Sequence, residues 1–319
     1  MFRNHKYQSI VLCMAIIGAF LLSACGSDDS QSESESTGNE ESTEIKVDSA
    51  MGELTIPSDA ERILAPFHED ALLALGVTPV AKWAIGESVQ GYLEQDLEEI
   101  PKLEWNLPLE QVLNHEPDLI ILENNMESYE GTYDDYSKIA PTYVMTEETM
   151  SDWRSQVTTF GELLGKEEEA EKVLNEYEEK VADASEQLEE AIGDETVAAI
   201  WTVGNQFFLF EHNRHSAEVI YSELGIEQPA LVESLGEGEA QWNPISIEKL
   251  SELDADHVFL LATEGEQGLE TLENSDVWQS TPAAANDQVY VINDPSNWTN
   301  KGLIASEKTI DELLDVLVD

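Results

Sequence analysis

The run KEEEAEKVLNEYEEKVADASEQLEEAIG, residues 166–193, decides the architecture. Ala170, Val173, Leu174, Tyr177, Val181, Ala184, Leu188 and Ile192 recur at three- and four-residue spacing, and charged residues fill most of the remaining positions. That periodicity predicts one amphipathic helix over 166–192, stopped by Gly193. At 1.5 Å per residue it is about 40 Å long, the height of a small domain. On either side of it the pattern changes to short apolar runs alternating with helical stretches. Upstream, residues 44–47 and 54–56 read as a hairpin around Met51-Gly52. Residues 62–65, 79–83, 118–122 and 142–145 read as short strands, and 69–75 as a helix ended by Gly76. Downstream, 196–203, 207–210, 257–261 and 289–292 read as strands, and 216–224, 247–253 and 303–317 as helices. Strand–helix alternation of this kind predicts α/β layers with largely parallel sheets.

The two halves repeat one another. Leu109-Glu110-Gln111-Val112 with Pro117-Asp118-Leu119-Ile120 matches Ile247-Glu248-Lys249-Leu250 with Ala255-Asp256-His257-Val258, both Glu and Asp recurring at an offset of 138 residues. The expected fold is therefore α/β: two similar α/β lobes joined by a single long helix, with a ligand cleft between them. The lobes are expected at 44–150 and 194–319, with the helical connection at 151–193.

Composition narrows the function. The chain carries 67 acidic against 15 basic residues, a formal net charge of −52. Such a surface argues against nucleic acid, whose phosphates are held by clustered Lys and Arg, and against an anionic membrane held by a basic helix. No Gly-x-Ser-x-Gly, His-Glu-x-x-His or phosphate-cradling Gly-rich loop with Lys occurs, so an enzyme is not expected. Residues 1–24 read as a secretory signal: Arg3, His5 and Lys6 precede an apolar run from Ile10 to Leu22, too short for a membrane span. Residues 25–43 are rich in Ser, Glu, Asp, Asn and Gly and read as a flexible acidic linker. Of the two cysteines, Cys13 lies inside the signal, and no internal disulfide is expected.

Leu22-Ser23-Ala24-Cys25 resembles the lipobox of bacterial lipoproteins, which implies cleavage before Cys25 and a lipid anchor on it. The body is similar to the periplasmic or lipid-tethered binding proteins of ABC importers for ferric siderophores. The similarity runs in order through Glu61-Arg62-Ile63-Leu64-Ala65-Pro66, Ala71-Leu72-Leu73-Ala74-Leu75-Gly76-Val77, Glu110 to Leu122 and Tyr136-Ser137-Lys138-Ile139-Ala140-Pro141-Thr142. It continues through Leu163-Leu164-Gly165-Lys166, Ile245-Ser246-Ile247-Glu248 and Ala283 to Asn293. The resemblance implies binding without chemistry on the ligand: a monomer, anchored outside the membrane, that captures an Fe(III)-siderophore complex and docks on a permease dimer with its ATPase. The siderophore holds the iron, so no cofactor is implied. Glu110 and Glu248 fall at the positions where family members meet permease arginines.

For the ligand, the resemblance singles out Arg214, in the loop Phe210-Glu211-His212-Asn213-Arg214-His215-Ser216, where the family often carries an arginine facing ligand oxygens. Guanidinium donates a planar pair of hydrogen bonds to such oxygens. A salt bridge with a nearby acid is its alternative use. Some relatives carry tryptophan where this chain has His212. Lys82 and Trp83 at the end of one strand, and His68 after another, stand where open α/β sheets place ligand contacts. Trp242 and Trp298 flank loops of the second half and could cover an apolar chelate or sit in the core; Lys301 is a further basic candidate. Relatives of this architecture also bind cobalamin or haem. His68, His212 and His215 could instead hold a bare metal ion such as zinc.

Overall fold

The computed structural model describes residues 44–238 and 241–318; the signal (1–24), the linker (25–43) and Cys25 lie outside the described residues. The chain opens with an antiparallel hairpin, β1 (Glu44–Ser49) and β2 (Gly52–Pro57), in which Ser49 faces Gly52 across the turn. Gly52 has φ +105°, a backbone that residues with a Cβ rarely adopt. The first lobe is built on β3 (Ile63–Leu64), β4 (Lys82–Ala84), β5 (Lys102–Glu104), β6 (Leu119–Leu122) and β7 (Thr142–Val144). β3, β6 and β7 form one parallel sheet in the order β3-β6-β7, and β4 and β5 a second parallel pair. β6 reads Leu-Ile-Ile-Leu and is buried along its whole length, as a central parallel strand covered on both faces must be.

Past the long helix the second lobe carries β8 (Val197–Val203), β9 (Gln206–Leu209), β10 (His257–Leu261) and β11 (Val289–Ile292) in the order β11-β10-β8-β9. β10 pairs in parallel with β8 and β11, while β9 returns antiparallel along β8. The repeat is physical. Asp118, just before β6, accepts the backbone N–H of Arg62 at 2.8 Å and of Glu61 at 3.0 Å, at the entry to β3. Asp256, just before β10, accepts the N–H of Thr196 at 2.8 Å, at the entry to β8. In each lobe one carboxylate sets the register of the central strand on its neighbour.

The long helix spans Glu167–Ile192 and buries Ala170, Tyr177, Ala184, Leu188 and Ile192; Val173, Leu174 and Val181 are half-buried beside them. Three glutamates fill its first turn, where the helix dipole favours negative charge. It is preceded by a helix at Trp153–Leu164, capped by the Asp152 side chain accepting Ser155 N–H at 3.0 Å and closed by Gly165 at φ +62°. The C-terminal helix, Leu303–Leu317, packs on the long helix and on the first-lobe helix Glu69–Ala74. Among the described residues no helix is long and apolar enough to cross a membrane.

Candidate ligand-binding cleft

Parallel strands end with their side chains and loops at one edge, and in the first lobe four such ends converge. Pro66 and Phe67 follow β3, Ile85 follows β4, Trp105 follows β5, and Glu123 and Asn125 follow β6. With Trp83, Ser128 and Tyr129 they line a cavity of about 250 Å³. Phe67 is 40% exposed and Trp105 45%, and they are the two aromatics among the large apolar side chains that the described residues leave open to solvent. Both belong to this one cavity. Phe67 meets Trp83 edge-on at 5.1 Å between ring centroids. It also adopts φ +73°, a left-handed backbone costly for a bulky side chain, held by a hydrogen bond of 3.3 Å from Gln90 Nε2 to its carbonyl.

Beside the aromatics lies a polar cluster, buried at His68 and Glu69 and half-buried at Glu123, Asn125 and Gln156. His68 places Nδ1 3.1 Å from Gln156 Oε1 and Nε2 3.2 Å from Glu123 Oε1. Hydrogen bonding from His68, its proximity, and the Asn125 amide at 2.8 Å hold the Glu123 carboxyl below the usual carboxylate range, although partial burial acts the other way. Glu69 is fully buried; its Oε1 accepts the Trp83 N–H at 2.6 Å, and burial pushes its carboxyl up to about 7. Trp83 is thus pinned by its backbone while its ring faces the cavity.

In the second lobe the loop after β9 carries Arg214, 6% exposed. Its guanidinium forms a two-point ion pair with Glu211 and lies 4.3 Å from the Trp242 ring centroid. Nη2 also donates to the Gln241 carbonyl at 3.5 Å, and a Cβ on Gly238 would come within 3.0 Å of it. Trp242 packs against Trp201, Phe208 and Phe210 and stacks on His215 at 5.6 Å. His215 has φ +44°, so each lobe places a left-handed, non-glycine residue just ahead of a helix at the cleft: Phe67 in one, His215 in the other. Burial, with Lys301 and Arg214 nearby, lowers the His215 imidazole to about 4. The helix that follows is a short α-turn, Ser216–Glu218, running into a π-turn, Val219–Glu223.

Two small voids share Trp153 and Lys301 in their walls. Phe67, His68, Trp153 and Lys301 line one, and Trp153 and Lys301 line the next with His215 and Ser216. Lys301 itself pairs with Glu218 at 2.7 Å.

Several expected residues sit elsewhere. Lys82 is buried on the face of β4 opposite Trp83, with its ammonium on Glu94 at 3.1 Å and on the Leu97 carbonyl at 2.7 Å. Neighbours on a strand point to opposite faces, so the two residues cannot share the cavity. Trp298 is fully buried, stacked on Phe259 at 5.1 Å with its indole N–H donated to Glu312 at 2.5 Å, and belongs to the core. His212 Nδ1 lies 3.3 Å from the Gly236 carbonyl. Among the described residues no group of three or more His, Cys, Asp or Glu side chains is arranged to hold a metal ion, and His68, His212 and His215 each have other neighbours. Glu110 and Glu248 are both exposed, each the second residue of a short helix (Leu109–Asn114 and Ile247–Leu250). Phe67, Ile85, Trp105, Glu123, Asn125 and Tyr129 escaped the sequence reading. The signal for most of them was the strand end itself, since they follow β3, β4, β5 and β6 within three residues.

Two α/β lobes on one long helix, with cavity-lining aromatics gathered at strand ends, define a two-lobed solute-binding protein. The chain belongs to the periplasmic binding protein family, whose model matches residues 63–295. It is 25% identical over 321 residues to the iron(3+)-hydroxamate-binding protein YxeB of Bacillus subtilis, covering 98% of this chain and 97% of that one. It is 27% identical over 332 residues to the probable siderophore-binding lipoprotein YfiY of the same organism, again covering 98% and 97%. A solved B. subtilis structure, a periplasmic binding protein component of a Fep/Fec-like ferrichrome ABC transporter, superposes with a TM-score of 0.71 at 23% identity, over 86% of this chain and all of that one (100%).

Proposed function

We propose that this chain is an extracytoplasmic binding lipoprotein that captures a ferric siderophore between its lobes and delivers it to the permease dimer of an ABC importer. The observation that carries the reading is the cavity at the ends of β3, β4, β5 and β6, where Phe67 and Trp105 stand open beside half-buried Trp83 and Tyr129, while most other aromatics among the described residues are buried. Aromatic faces of this kind suit the apolar backbone of a chelate. The relatives that cover nearly the whole chain are named for iron-hydroxamate and siderophore binding, which supports the same ligand class.

In this reading the second lobe contributes Arg214, Trp242 and His212, and the first lobe Trp83 and His68 with the newly placed aromatics. The lobes are taken as 44–150 and 194–319, with 151–193 as their connection. Glu110 and Glu248 are the two permease contacts, one per lobe, and Cys25 carries the anchor. The ligand leaves chemically unchanged, so the protein is not an enzyme. Iron is cargo and arrives already chelated.

Tryptophan fluorescence tests the reading directly. Titration of the purified protein with ferric hydroxamate, citrate-type and catecholate chelates should give saturable quenching at submicromolar concentration with one class. Cobalamin, haem and zinc serve as controls. Silence with every ferric chelate, or a response to one of the controls alone, overturns it.

A further inference from the structure

Arg62 is one of 15 basic residues in a chain with 67 acidic ones. Exposed at the entry to β3, it turns its guanidinium to main-chain carbonyls: Nε donates to that of Glu116 at 2.6 Å and Nη2 to that of His115 at 2.5 Å. Both follow the helix Leu109–Asn114, at the end where carbonyls run out of helical partners and a cation suits the negative end of the dipole. Glu116 has φ +45°, the left-handed position that glycine usually takes after a helix. The Arg62 backbone completes the contact: its carbonyl accepts the Asp118 N–H at 2.9 Å, and its N–H goes to the Asp118 carboxylate. A six-residue helix has little stability of its own. This one buries Val112, accepts the Glu104 N–H on Gln111 at 3.2 Å, and sends its Leu109 N–H to Glu130 at 3.4 Å.

We propose that Arg62 is a positioning residue for permease docking: by tying the end of this helix to the start of β3, it fixes where Glu110 stands on the first lobe. The inference rests on the docking reading of Glu110 and adds the residue that places it. Glu110 is the exposed second residue of the same helix. A carboxylate that meets one half of a permease dimer while Glu248 meets the other needs a fixed place, because an exposed ion pair is worth too little to order a loose helix as well. The repeat between the lobes diverges here. In the second lobe Thr196 stands where Arg62 does, since Asp256 accepts its N–H, but its hydroxyl turns back to the Asp256 carboxylate at 2.9 Å. The helix Ile247–Leu250 is held at its start instead, where Ser246 Oγ accepts the Lys249 N–H at 3.2 Å. Each docking glutamate thus rides on a short helix fixed by a different side chain, Arg62 at the far end of one and Ser246 at the near end of the other.

The test is a double-mutant cycle on iron uptake by cells that carry the full-length lipoprotein with its transporter. Radiolabelled iron is supplied as ferrioxamine B, ferric citrate or a ferric triscatecholate. Arg62→Met keeps the aliphatic stem and removes the guanidinium. It should lower uptake about tenfold and leave chelate affinity, read by tryptophan fluorescence, within about twofold of wild type. Glu110→Ala should lose about as much uptake. In that background no carboxylate is left to position, so adding Arg62→Met should cost less than about twofold more. Equal losses from Arg62→Met in the two backgrounds, wild-type uptake by Arg62→Met, or a fall in its chelate affinity as large as the fall in uptake overturns the proposal and leaves the docking reading standing. Wild-type uptake by Glu110→Ala removes the docking reading, and this inference with it. So does the absence of wild-type uptake with every ferric chelate. If Arg62→Met does not fold, Arg62→Lys decides: an ammonium lacks the planar fork that reaches both carbonyls, so uptake should fall at least about threefold, and full uptake overturns the proposal.

Discussion

Asp70 accepts the backbone N–H of Ala305 at 3.0 Å. The same carboxylate takes the N–H of Ile304 at 3.1 Å and the Tyr92 hydroxyl at 3.0 Å. A side chain of the first helix thereby caps the last one, 234 residues further along the chain. The open N–H groups and positive dipole end of Leu303–Leu317 find in Asp70 the carboxylate that an ordinary N-cap residue would supply. Gly302 is bound to this arrangement, since a Cβ there would stand 2.3 Å from Asp70 Cγ.

Removing the cap should be costly and shared between the two positions. Asp70→Ala is expected to lower stability by about 2 kcal/mol, the worth of a cap with charge-assisted hydrogen bonds. Gly302→Ala should cost a similar amount by displacing the carboxylate. Because both act on one contact, the double variant should fall well short of the sum in urea denaturation. Full additivity would separate the glycine from the cap.

Burial holds the Glu69 carboxyl up to about 7 and the Asp70 carboxyl up to about 6, above their unfolded values of 4.5 and 3.8. The folded state therefore keeps protons that the unfolded chain has lost. This contribution favours folding most below pH 4, declines as pH rises from about 4 to 7, and is constant above. Between about pH 4.5 and 7.5 the wild type should lose about 3 kcal/mol more than Glu69→Gln, since each tenfold gain in proton affinity on folding is worth about 1.4 kcal/mol. Parallel stability curves for the two proteins would show that Glu69 titrates normally.

Arg214 and Glu211 are both largely buried, at 6% and 13% side-chain exposure, so each needs the other. Arg214→Ala should destabilise by about 3 kcal/mol, because it strands the Glu211 carboxylate and removes the cation from the Trp242 face. Arg214→Met with Glu211→Leu should recover most of that stability while ligand affinity stays at least tenfold weaker. Wild-type affinity in this double variant would take Arg214 out of the site.

Two tryptophans should separate binding from folding. Trp105→Ala, at an exposed rim position, should weaken ligand binding about tenfold and change stability by less than about 0.5 kcal/mol. Trp298→Phe should do the reverse: a loss of about 2 kcal/mol from the core and the Glu312 bond, with affinity unchanged. Affinity that follows Trp298 would place it in the site after all.

Glu110→Ala with Glu248→Ala should abolish uptake of the loaded protein's cargo into cells and leave chelate binding at its wild-type value. Both carboxylates are exposed at helix starts, so little stability rides on them. Normal uptake by the double variant would remove them from the docking surface.

Much of the frame was legible in the chain because its signals are local. The predicted helix at 303–317 and the strands at 257–261 and 289–292 match the observed bounds, and the long helix begins one residue later than its periodicity suggested. β5, Lys102–Glu104, was not legible: a single leucine between two charged residues carries no strand signal. It forms because Lys102, Leu103 and Glu104 pair with Lys82, Trp83 and Ala84 of β4. Without that strand, Trp105, the residue that follows it, carries no mark of a site. The expected strand at 79–83 stops one residue short of β4's end, which puts Lys82 beside Trp83 at a strand end when the two lie on opposite faces.

The amino-acid sequence by itself determined the long helix, the two α/β halves and the repeat of Asp118 in Asp256, since periodicity and spacing are properties of the chain alone. Only the tertiary structure decided which side chains meet. It put Trp83 and Trp105 in the cavity and Trp298 in the core, joined Arg214 to Glu211, and brought Asp70 to the start of a helix 234 residues away. A tryptophan, an arginine or a buried aspartate has the same local signature whatever it faces. The face is set by strand pairing and helix packing between distant segments, and that is where this protein's ligand chemistry resides.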